Sequence, residues 1–206
     1  MKNPLHYQLS EYDCGPTSML NAISFLFERE EIPPEILRNI MIYCLDSFNT
    51  DGIAGKAGTS EAAMMFLNNW LNGYGRTGQL PVSSQYLSGE EVFLGERSAV
   101  NEALYCKGAV VVRLFLEEPH YVLLTGAANG QVQAFDPYYI KEPFQEEGIQ
   151  IVSNQPEKYN RLIPEYYFNS EQTGIYAFGP VEMREAVILF NENTKLTQES
   201  TVEYFI

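Results

Sequence analysis

The chain has few of the residues that build disulfide frameworks and metal clusters. Among its 206 residues there are three cysteines, Cys14, Cys44 and Cys106, and two histidines, His6 and His120. An odd number of widely spaced cysteines is typical of a reducing compartment and predicts neither a disulfide framework nor a zinc site. We therefore expect no metal and no other cofactor, and any histidine chemistry must use one of two residues.

Positive charge is also scarce. Lys and Arg together number 13 against 27 Asp and Glu, which gives a formal net charge of −14. Proteins bind nucleic acids through concentrated positive charge, so this balance argues against a nucleic-acid partner. The same balance either favours a basic or neutral substrate through long-range attraction or serves solubility alone.

Long apolar runs are missing as well. No run reaches the roughly 18 residues that a membrane-spanning helix needs. Residues 1–7 lack a basic start followed by an apolar stretch, which a secretory signal would show. We therefore expect no membrane insertion and a cytoplasmic protein. Hydrophobic residues make up 45% of the chain, which predicts a folded rather than a disordered protein.

Apolar residues recur at helical spacing through the first half of the chain. This pattern, with its capping residues, predicts helices over about 14–28, 34–46, 59–73 and 98–107. Thr59 or Ser60 is expected to cap the third helix and Gly73 to end it. The intervening segments 47–58 and 74–97 are rich in turn-forming residues.

The second half of the chain is predicted to form a β-sheet. Runs of β-branched and aromatic residues predict strands at 109–116, 121–125, 131–135, 149–152, 174–178, 186–190 and 201–205. Helices followed by mostly antiparallel strands indicate an α+β fold. We expect one domain over residues 1–206, with a mainly helical half (1–108) and a mainly β half (109–206).

Cys14 is the candidate nucleophile because it lies at the predicted start of the first helix. The N-terminus of a helix stabilises a thiolate through unpaired N–H groups and the positive end of the helix dipole. Pro16 is tolerated in the first turn, and Gly15 is interpreted as leaving room for a substrate backbone. Gln8, six residues upstream, can donate its side-chain amide to an oxyanion that also contacts the Cys14 N–H.

The alternative for Cys14 is a purely structural role, because a lone cysteine is usually a small buried hydrophobic residue. Cys44 and Cys106 are interpreted in that way. Cys44 falls on the apolar face of the second predicted helix, and Cys106 falls at the end of the fourth.

A thiolate nucleophile needs a base that can return its proton to a leaving amine, and histidine suits this role near neutral pH. His120 follows Pro119 at the start of a predicted strand and is better placed than His6. Asp136, at the end of the returning strand, is the candidate that orients the imidazole. Each residue also has an ordinary interpretation, His120 as a surface or capping residue and Asp136 as part of an Asp-Pro turn.

The hairpin that joins these strands decides whether His120 and Asp136 share a face. A two-residue turn at Asn129-Gly130 would place Asp136 opposite Leu123, on the other face from His120. A three-residue loop over 128–130 would place Asp136 opposite Val122 and on the face of His120. We therefore predict the odd-length loop, with Gly130 at positive φ in a bulge.

In this order and at these spacings, the residues resemble the bacteriocin-processing peptidase family, which belongs to the papain-like cysteine peptidases. The resemblance lies in Gln8 with Cys14-Gly15 six residues on, in His120 followed by an apolar strand, and in Asp136-Pro137 sixteen residues after the histidine. The segment 58–60 also looks like the family. The resemblance implies a papain-like fold and a bacterial peptidase.

The same resemblance implies a role for each matched residue. Cys14 would be the nucleophile, His120 the base and acid, Asp136 the orienting carboxylate and Gln8 the oxyanion donor. The best-known members of the family form N-terminal domains of peptide exporters and cut leader peptides after Gly-Gly. This chain differs from them, with additions around 45–58 and 74–97 and some seventy residues after Pro137.

Three functions fit these residues. The first is hydrolysis of a peptide or related amide bond through a thioester on Cys14. The second is transfer of the same acyl group to an amine, or deamidation, favoured if aromatic residues exclude water; the candidates are Tyr138, Tyr139, Tyr166 and Tyr167. The third is a non-catalytic module that binds a peptide. The sequence leaves the substrate and the oligomeric state open.

Overall fold

The computed structural model of the chain describes residues 1–197, which form a mixed α+β fold. Within this range the α-helices are α1 (Cys14–Leu26), α2 (Pro34–Cys44), α3 (Glu61–Arg76) and α4 (Ala99–Tyr105). The strands are β1 (Val82–Ser88), β2 (Ala109–Leu116), β3 (Glu118–Ala128), β4 (Gln131–Phe135), β5 (Gln150–Ile151), β6 (Arg161–Pro164) and β7 (Glu185–Asn191). The α+β prediction is confirmed, and the predicted strand at 201–205 lies outside the described residues.

The strands form one antiparallel sheet in the order β1-β7-β2-β3-β4-β6-β5. β2, β3 and β4 are consecutive hairpin strands, and β7 returns late in the chain to insert between β1 and β2. Residues 109–112 and 121–124 are buried, so the centre of the sheet is covered on both faces. Among the described helices, none combines the length and the apolarity required to cross a membrane.

Two apolar cores lie against the two faces of this sheet. One packs α1, α2 and α3 against side chains such as Val111, Leu123 and Leu189. The other packs α4 and residues 168–178 against the opposite set, including Val112 and Val122. Alternation of side chains along each strand assigns neighbouring residues to different cores.

Two predictions about the middle of the chain are wrong. Gly73 does not end α3, because the helix continues to Arg76. Near this end the helix meets the sheet closely at Gly75, where a Cβ would lie 1.9 Å from the Val82 carbonyl oxygen. The turn-rich interpretation of 74–97 misses β1, a serine-rich strand that pairs with β7.

The later strand predictions are also partly wrong. The predicted strand at 174–178 is not one, because Tyr176 has a positive φ of 55° that breaks an extended path. This segment still bonds β2 beyond the part that pairs with β7, since the Tyr176 N–H donates to the Phe115 carbonyl and the Phe115 N–H donates to the Ala177 carbonyl. The strand at 149–152 is reduced to β5, while 186–190 is confirmed within β7.

The hairpin between β3 and β4 has a two-residue turn, so the predicted three-residue loop is wrong. Ala128 pairs with Gln131, and both Asn129 and Gly130 have positive φ, 54° and 73°. An Asn-Gly pair suits such a turn, because its backbone twist matches that of the strands. The prediction of positive φ at Gly130 is confirmed.

A β-bulge inside β3 restores the alignment that the two-residue turn would have lost. Pairing runs from Gly126 with Gln133 directly to Leu124 with Ala134, so Thr125 is an extra residue without a partner. Leu123 then pairs with Phe135, and continuing this register brings Asp136 opposite Val122. The predicted face of Asp136 is confirmed, although the bulge lies within the strand and not in the loop.

Candidate active site

Cys14 is the first residue of α1, as the sequence predicts, and its side chain is 8% exposed. The helix is held against β3, because Ser18 Oγ donates a 3.0 Å hydrogen bond to the Tyr121 carbonyl oxygen. Asn21, one turn on, exchanges two hydrogen bonds with the backbone of His6. The thiol therefore occupies a fixed position between the N-terminal segment and the sheet.

Asp13 shapes the segment that precedes the thiol. Its buried carboxylate accepts hydrogen bonds from the Leu9 N–H (3.0 Å), the Ser10 N–H (2.7 Å) and the Ser10 hydroxyl (2.6 Å). Burial alone would raise the pKa of Asp13, but these hydrogen bonds outweigh it and lower the pKa. The carboxylate folds residues 8–13 into a tight loop instead of capping the first N–H groups of α1.

The lack of a side-chain cap on α1 affects which N–H groups can stabilise an oxyanion. A side chain that caps a helix satisfies one of its first N–H groups, and Asp13 makes no such bond. The Thr17 N–H donates to the Asp13 carbonyl and Pro16 has no N–H, so the N–H groups of Cys14 and Gly15 are the ones that the missing side-chain cap leaves for an anion. Sequence reasoning assigned no role to Asp13, although its place directly before the helix is a signal for a structural carboxylate.

Gly15 makes room for a neighbouring side chain. A Cβ at Gly15 would lie 2.2 Å from Thr59 Oγ1 and 2.8 Å from Thr59 Cβ. The absent side chain therefore accommodates Thr59, which precedes the cap of α3, and the interpretation that Gly15 leaves room for a substrate backbone stays a prediction. Ser60 is that cap, since its hydroxyl accepts a hydrogen bond from the Ala63 N–H.

His120 and Asp136 lie on one face and are directly bonded. His120 Nε2 and Asp136 Oδ1 are 2.8 Å apart, and Asp136 is fully buried. Because a carboxylate accepts and the ring nitrogen donates, Nε2 carries a proton and Nδ1 is the nitrogen left for the thiol. The structure therefore brings together the two residues whose alignment the sequence left dependent on the hairpin.

The charge of His120 depends on both of its neighbours. Burial lowers the pKa of His120, but its hydrogen bonds with Asp136 and Cys14 and the charges of these two groups raise it to about 10. The ring is therefore protonated at neutral pH beside Cys14. An imidazolium in that position stabilises a thiolate and holds the proton that a leaving amine requires.

Residues beyond Pro137 hold Asp136 in place. Tyr176 OH donates a 2.8 Å hydrogen bond to Asp136 Oδ2, while the Tyr138 N–H donates to Oδ1 at 2.8 Å. The Asn160 side chain bonds both the N–H and the carbonyl of Asp136, at 2.8 Å each. Burial and the charge of Asp136 raise the pKa of Tyr176, so its hydroxyl remains a donor.

Arg161 completes this support. It is 1% exposed, and its guanidinium donates to the carbonyl oxygens of Asn160 (2.9 Å) and Tyr138 (3.3 Å). It also lies near enough to the Tyr176 hydroxyl to oppose the rise in the tyrosine pKa. Sequence reasoning missed Tyr176, Asn160 and Arg161. The contacts of Asn160 and Tyr176 with Asp136 span 24 and 40 residues, and that of Arg161 with Tyr138 spans 23, so none leaves a local pattern.

Gln8 lies in the same cavity as Cys14 and His120. Its backbone N–H donates to the Pro137 carbonyl (2.9 Å), which ties it to the residue that follows Asp136. Its side-chain Nε2 donates one hydrogen bond to the Ser10 carbonyl (2.7 Å), and its Oε1 is buried without a partner among the described residues. An amide nitrogen carries two hydrogens, so one remains for an oxyanion.

The cavity that contains these residues has a volume of about 900 Å³. Its remaining lining residues are Glu11, Leu116, Glu117, Glu118, Pro119, Tyr138, Ile140, Glu142, Pro143, Phe144, Gln145, Glu146, Thr173 and Ile175. A volume of this size is typical of a substrate-binding cleft.

The other candidate side chains lie elsewhere. His6 is exposed and does not line the cavity. Cys44 is fully buried on α2, and burial raises the pKa of its thiol. Cys106 is half-buried at the end of α4.

Of the four tyrosines considered for an aromatic wall, only Tyr138 lines the cavity, together with Phe144. Tyr139 packs edge-on against Tyr7. The rings of Tyr166 and Tyr167 pack against each other outside the cavity lining, and their hydroxyls donate hydrogen bonds to the Glu147 carbonyl.

Comparison with known proteins adds no assignment to this geometry. No protein-family model matches the chain, and no curated protein sequence matches it.

Proposed function

We propose that the chain is a papain-like cysteine peptidase that hydrolyses a peptide or related amide bond. One observation carries the proposal: a buried cysteine at a helix N-terminus shares a cavity with Gln8 and with His120, which is hydrogen-bonded to Asp136. Two parts of the chain, 8–14 and 120–136, lie more than a hundred residues apart in sequence and converge on this point. A binding module needs neither a reactive thiol nor a histidine held by a buried carboxylate.

The first half of the reaction forms a thioester. The Cys14 sulfur donates an electron pair to the substrate carbonyl carbon, and the carbonyl π electrons move to its oxygen. The free N–H of Gln8 Nε2 and the Cys14 N–H stabilise this oxyanion. When the tetrahedral intermediate collapses, the C–N bond breaks and His120 gives its proton to the departing amine.

The second half of the reaction hydrolyses the thioester and regenerates the Cys14 thiolate and the protonated His120. His120, now neutral, takes a proton from water while the water oxygen attacks the thioester carbonyl. The C–S bond then breaks, and the products are a carboxylic acid, the Cys14 thiolate and a protonated His120. Asp136 keeps the ring oriented throughout because its own position is fixed by Tyr176, Tyr138 and Asn160.

Acyl transfer to an amine is the second candidate, and it uses the same thioester. Tyr138 beside the cavity is the observation that favours it, since an aromatic surface can shelter a thioester from water. Only one of the four candidate tyrosines occupies that position, so hydrolysis is the better-supported outcome.

The proposal is tested by trapping and then resolving the acyl-enzyme. A mixture of capped peptides is incubated with the protein in water enriched in oxygen-18, and both the intact protein mass and the products are recorded. We expect an adduct on Cys14 and one heavy oxygen in the new carboxyl group. The Cys14→Ala variant should give neither product nor adduct, and turnover by that variant would overturn the proposal.

An amine added to the same reaction separates the two enzymatic candidates. Hydrolysis predicts the carboxylic acid as the main product, with oxygen-18 incorporated. Acyl transfer predicts a new amide and no heavy oxygen.

A further inference from the structure

The cavity beside Cys14 is acidic. Five glutamates line it, with no lysine and no arginine among its lining residues; they are Glu11, Glu117, Glu118, Glu142 and Glu146. All five are exposed, and none forms an ion pair within residues 1–197. The basic residue nearest in sequence to the 142–146 stretch is Lys141, which does not line the cavity.

This charge is not simply the average of an acidic surface. A second cavity of about 510 Å³ on the same protein is lined by two lysines and two glutamates, Lys2, Lys107, Glu28 and Glu31. The cavity that holds the thiol and His120 therefore carries unbalanced negative charge, whereas the second cavity does not. A cleft lined by one sign of charge focuses the field and raises the local concentration of ligands of the opposite sign.

The apolar part of the lining fits the same kind of ligand. Leu116, Ile140, Phe144 and Ile175 lie among the carboxylates in the cavity wall. Lysine and arginine bury their methylene stems against apolar surface while the charged head stays in water or beside a carboxylate. A purely apolar side chain could contact the apolar lining but not pair with the carboxylates, and an acidic side chain would be repelled by them.

The hairpin tip before His120 presents two of the carboxylates. Leu116 pairs with Glu118, so Glu117 alone connects β2 and β3, and it has a positive φ of 67°. Glycine adopts this conformation without a steric cost, whereas glutamate does not. A carboxylate therefore stands two residues from Pro119-His120, at a position where the backbone itself favours glycine.

Resting on the proposed function, we propose that the site selects basic peptide segments, with lysine or arginine side chains next to the scissile amide. The glutamates receive the cationic heads, and the apolar lining receives the methylene stems. The bond to be cut then lies over Cys14 and His120.

The test uses Cys14 itself as the sensor of charge. Two methanethiosulfonate reagents of similar size are compared, one carrying a 2-aminoethyl group (cationic) and one a 2-sulfonatoethyl group (anionic). The thiolate attacks the sulfenyl sulfur, a disulfide forms and methanesulfinate leaves, so no catalytic turnover is required. Rates are divided by those for free N-acetylcysteine amide to remove intrinsic differences between the reagents.

We expect the normalised rate at Cys14 to favour the cationic reagent by about tenfold or more at low salt. The preference should shrink as ionic strength rises, because salt screens exposed charges. It should also fall in Glu117→Gly and in Glu117→Gln/Glu118→Gln. The matched control Glu35→Gln/Glu96→Gln changes the net charge equally at exposed positions outside the cavity and should keep the preference.

Peptide protection provides a second measurement. A capped tetralysine peptide should slow the reaction of Cys14 with neutral iodoacetamide, and a capped tetraglutamate peptide should not. Equal protection by the two peptides, or no charge preference at a reactive Cys14, overturns this inference and leaves the proposed hydrolase intact. A Cys14 that is inert to all reagents overturns the proposed function and the inference with it.

Discussion

Asp136 is the residue on which the histidine depends. Its two carboxylate oxygens accept three hydrogen bonds, from His120, the Tyr138 N–H and the Tyr176 hydroxyl, and it has no exposed surface. A buried carboxylate is stable only when its acceptors are satisfied and its charge is compensated. His120 supplies the compensating charge and Tyr176 the remaining donor.

Substituting Tyr176 with Phe removes that donor and leaves Asp136 Oδ2 without it. We expect the free energy of unfolding to fall by about 1–3 kcal/mol, the cost of an unsatisfied buried acceptor. Urea denaturation measures the change. Tyr166→Phe is the matched control, since that tyrosine is exposed and its hydroxyl donates to the Glu147 carbonyl at the surface. A loss no larger than the control's would contradict this description of Tyr176.

Substituting Asp136 with Asn should lower the pKa of His120 from about 10. Burial lowers that pKa, and the hydrogen bond with Asp136 is the largest factor that raises it, followed by the hydrogen bond with Cys14 and the charges of both groups. The chain has only two histidines, so NMR of the ring protons can follow His120 and use His6 as an internal reference. An unchanged His120 titration midpoint in Asp136→Asn would show that the carboxylate does not hold the proton in place.

At the scale of elements, the site is the meeting of a helix N-terminus with the β3–β4 hairpin. α1 is anchored on β3 through Ser18 and Tyr121, and residues 8–13 are anchored on Pro137 and on Asp13. The start of α3 closes against the first turn of α1 at Gly15. Each contact restricts where the thiol can lie relative to His120.

The substitution Gly15→Ala tests the contact between α1 and the start of α3. The added methyl group would overlap Thr59, so we expect a loss of about 1–3 kcal/mol in the free energy of unfolding, as in other overpacked sites. Urea denaturation again measures it, and adding Thr59→Gly should restore part of the loss. Normal stability with a specific loss of substrate turnover would instead support the earlier interpretation that Gly15 makes room for substrate.

At the scale of the whole molecule, His120 links the site to folding. Its pKa of about 10 in the folded chain lies above the ordinary value of 6.5. A raised pKa means that protonation stabilises the folded state, fully below pH 6.5 and less and less as the pH rises toward 10.

The free energy of unfolding should therefore fall between pH 6.5 and 10 more steeply in the natural protein than in His120→Gln. Denaturation at several pH values measures both curves, and titrating groups away from Cys14 and Asp136 contribute equally to the two proteins. Parallel curves would show that the histidine is not held in its charged form by the fold.

The sequence identifies the reacting groups better than it identifies their support. Cys14 could be placed because its helix signal is local, and His120 because the chain offers only one other histidine. The alignment of Asp136 was predicted correctly from an incorrect loop, since the extra residue is Thr125 in the strand. Tyr176 and Arg161 could not be predicted, because their partners are distant in sequence and are brought near only by the sheet.

The same distinction applies to the elements. The amphipathic helices and the apolar strands β2 and β3 follow from periodicity, which reports burial directly. β1 has only two buried residues, Val82 and Leu87, so its pattern carries little of that signal. Its place in the sheet is set by pairing with β7, a strand about a hundred residues later in the chain.

The most direct test of the central claim is the rate at which iodoacetamide labels Cys14 relative to Cys106 at pH 7. Cys14 is 8% exposed, whereas Cys106 is more accessible, so access alone would favour Cys106. Activation by His120 predicts that Cys14 reacts faster by about tenfold or more, and that His120→Gln abolishes the difference. If Cys14 reacts no faster than Cys106 in the natural protein, the thiol is not activated and the enzyme assignment is contradicted.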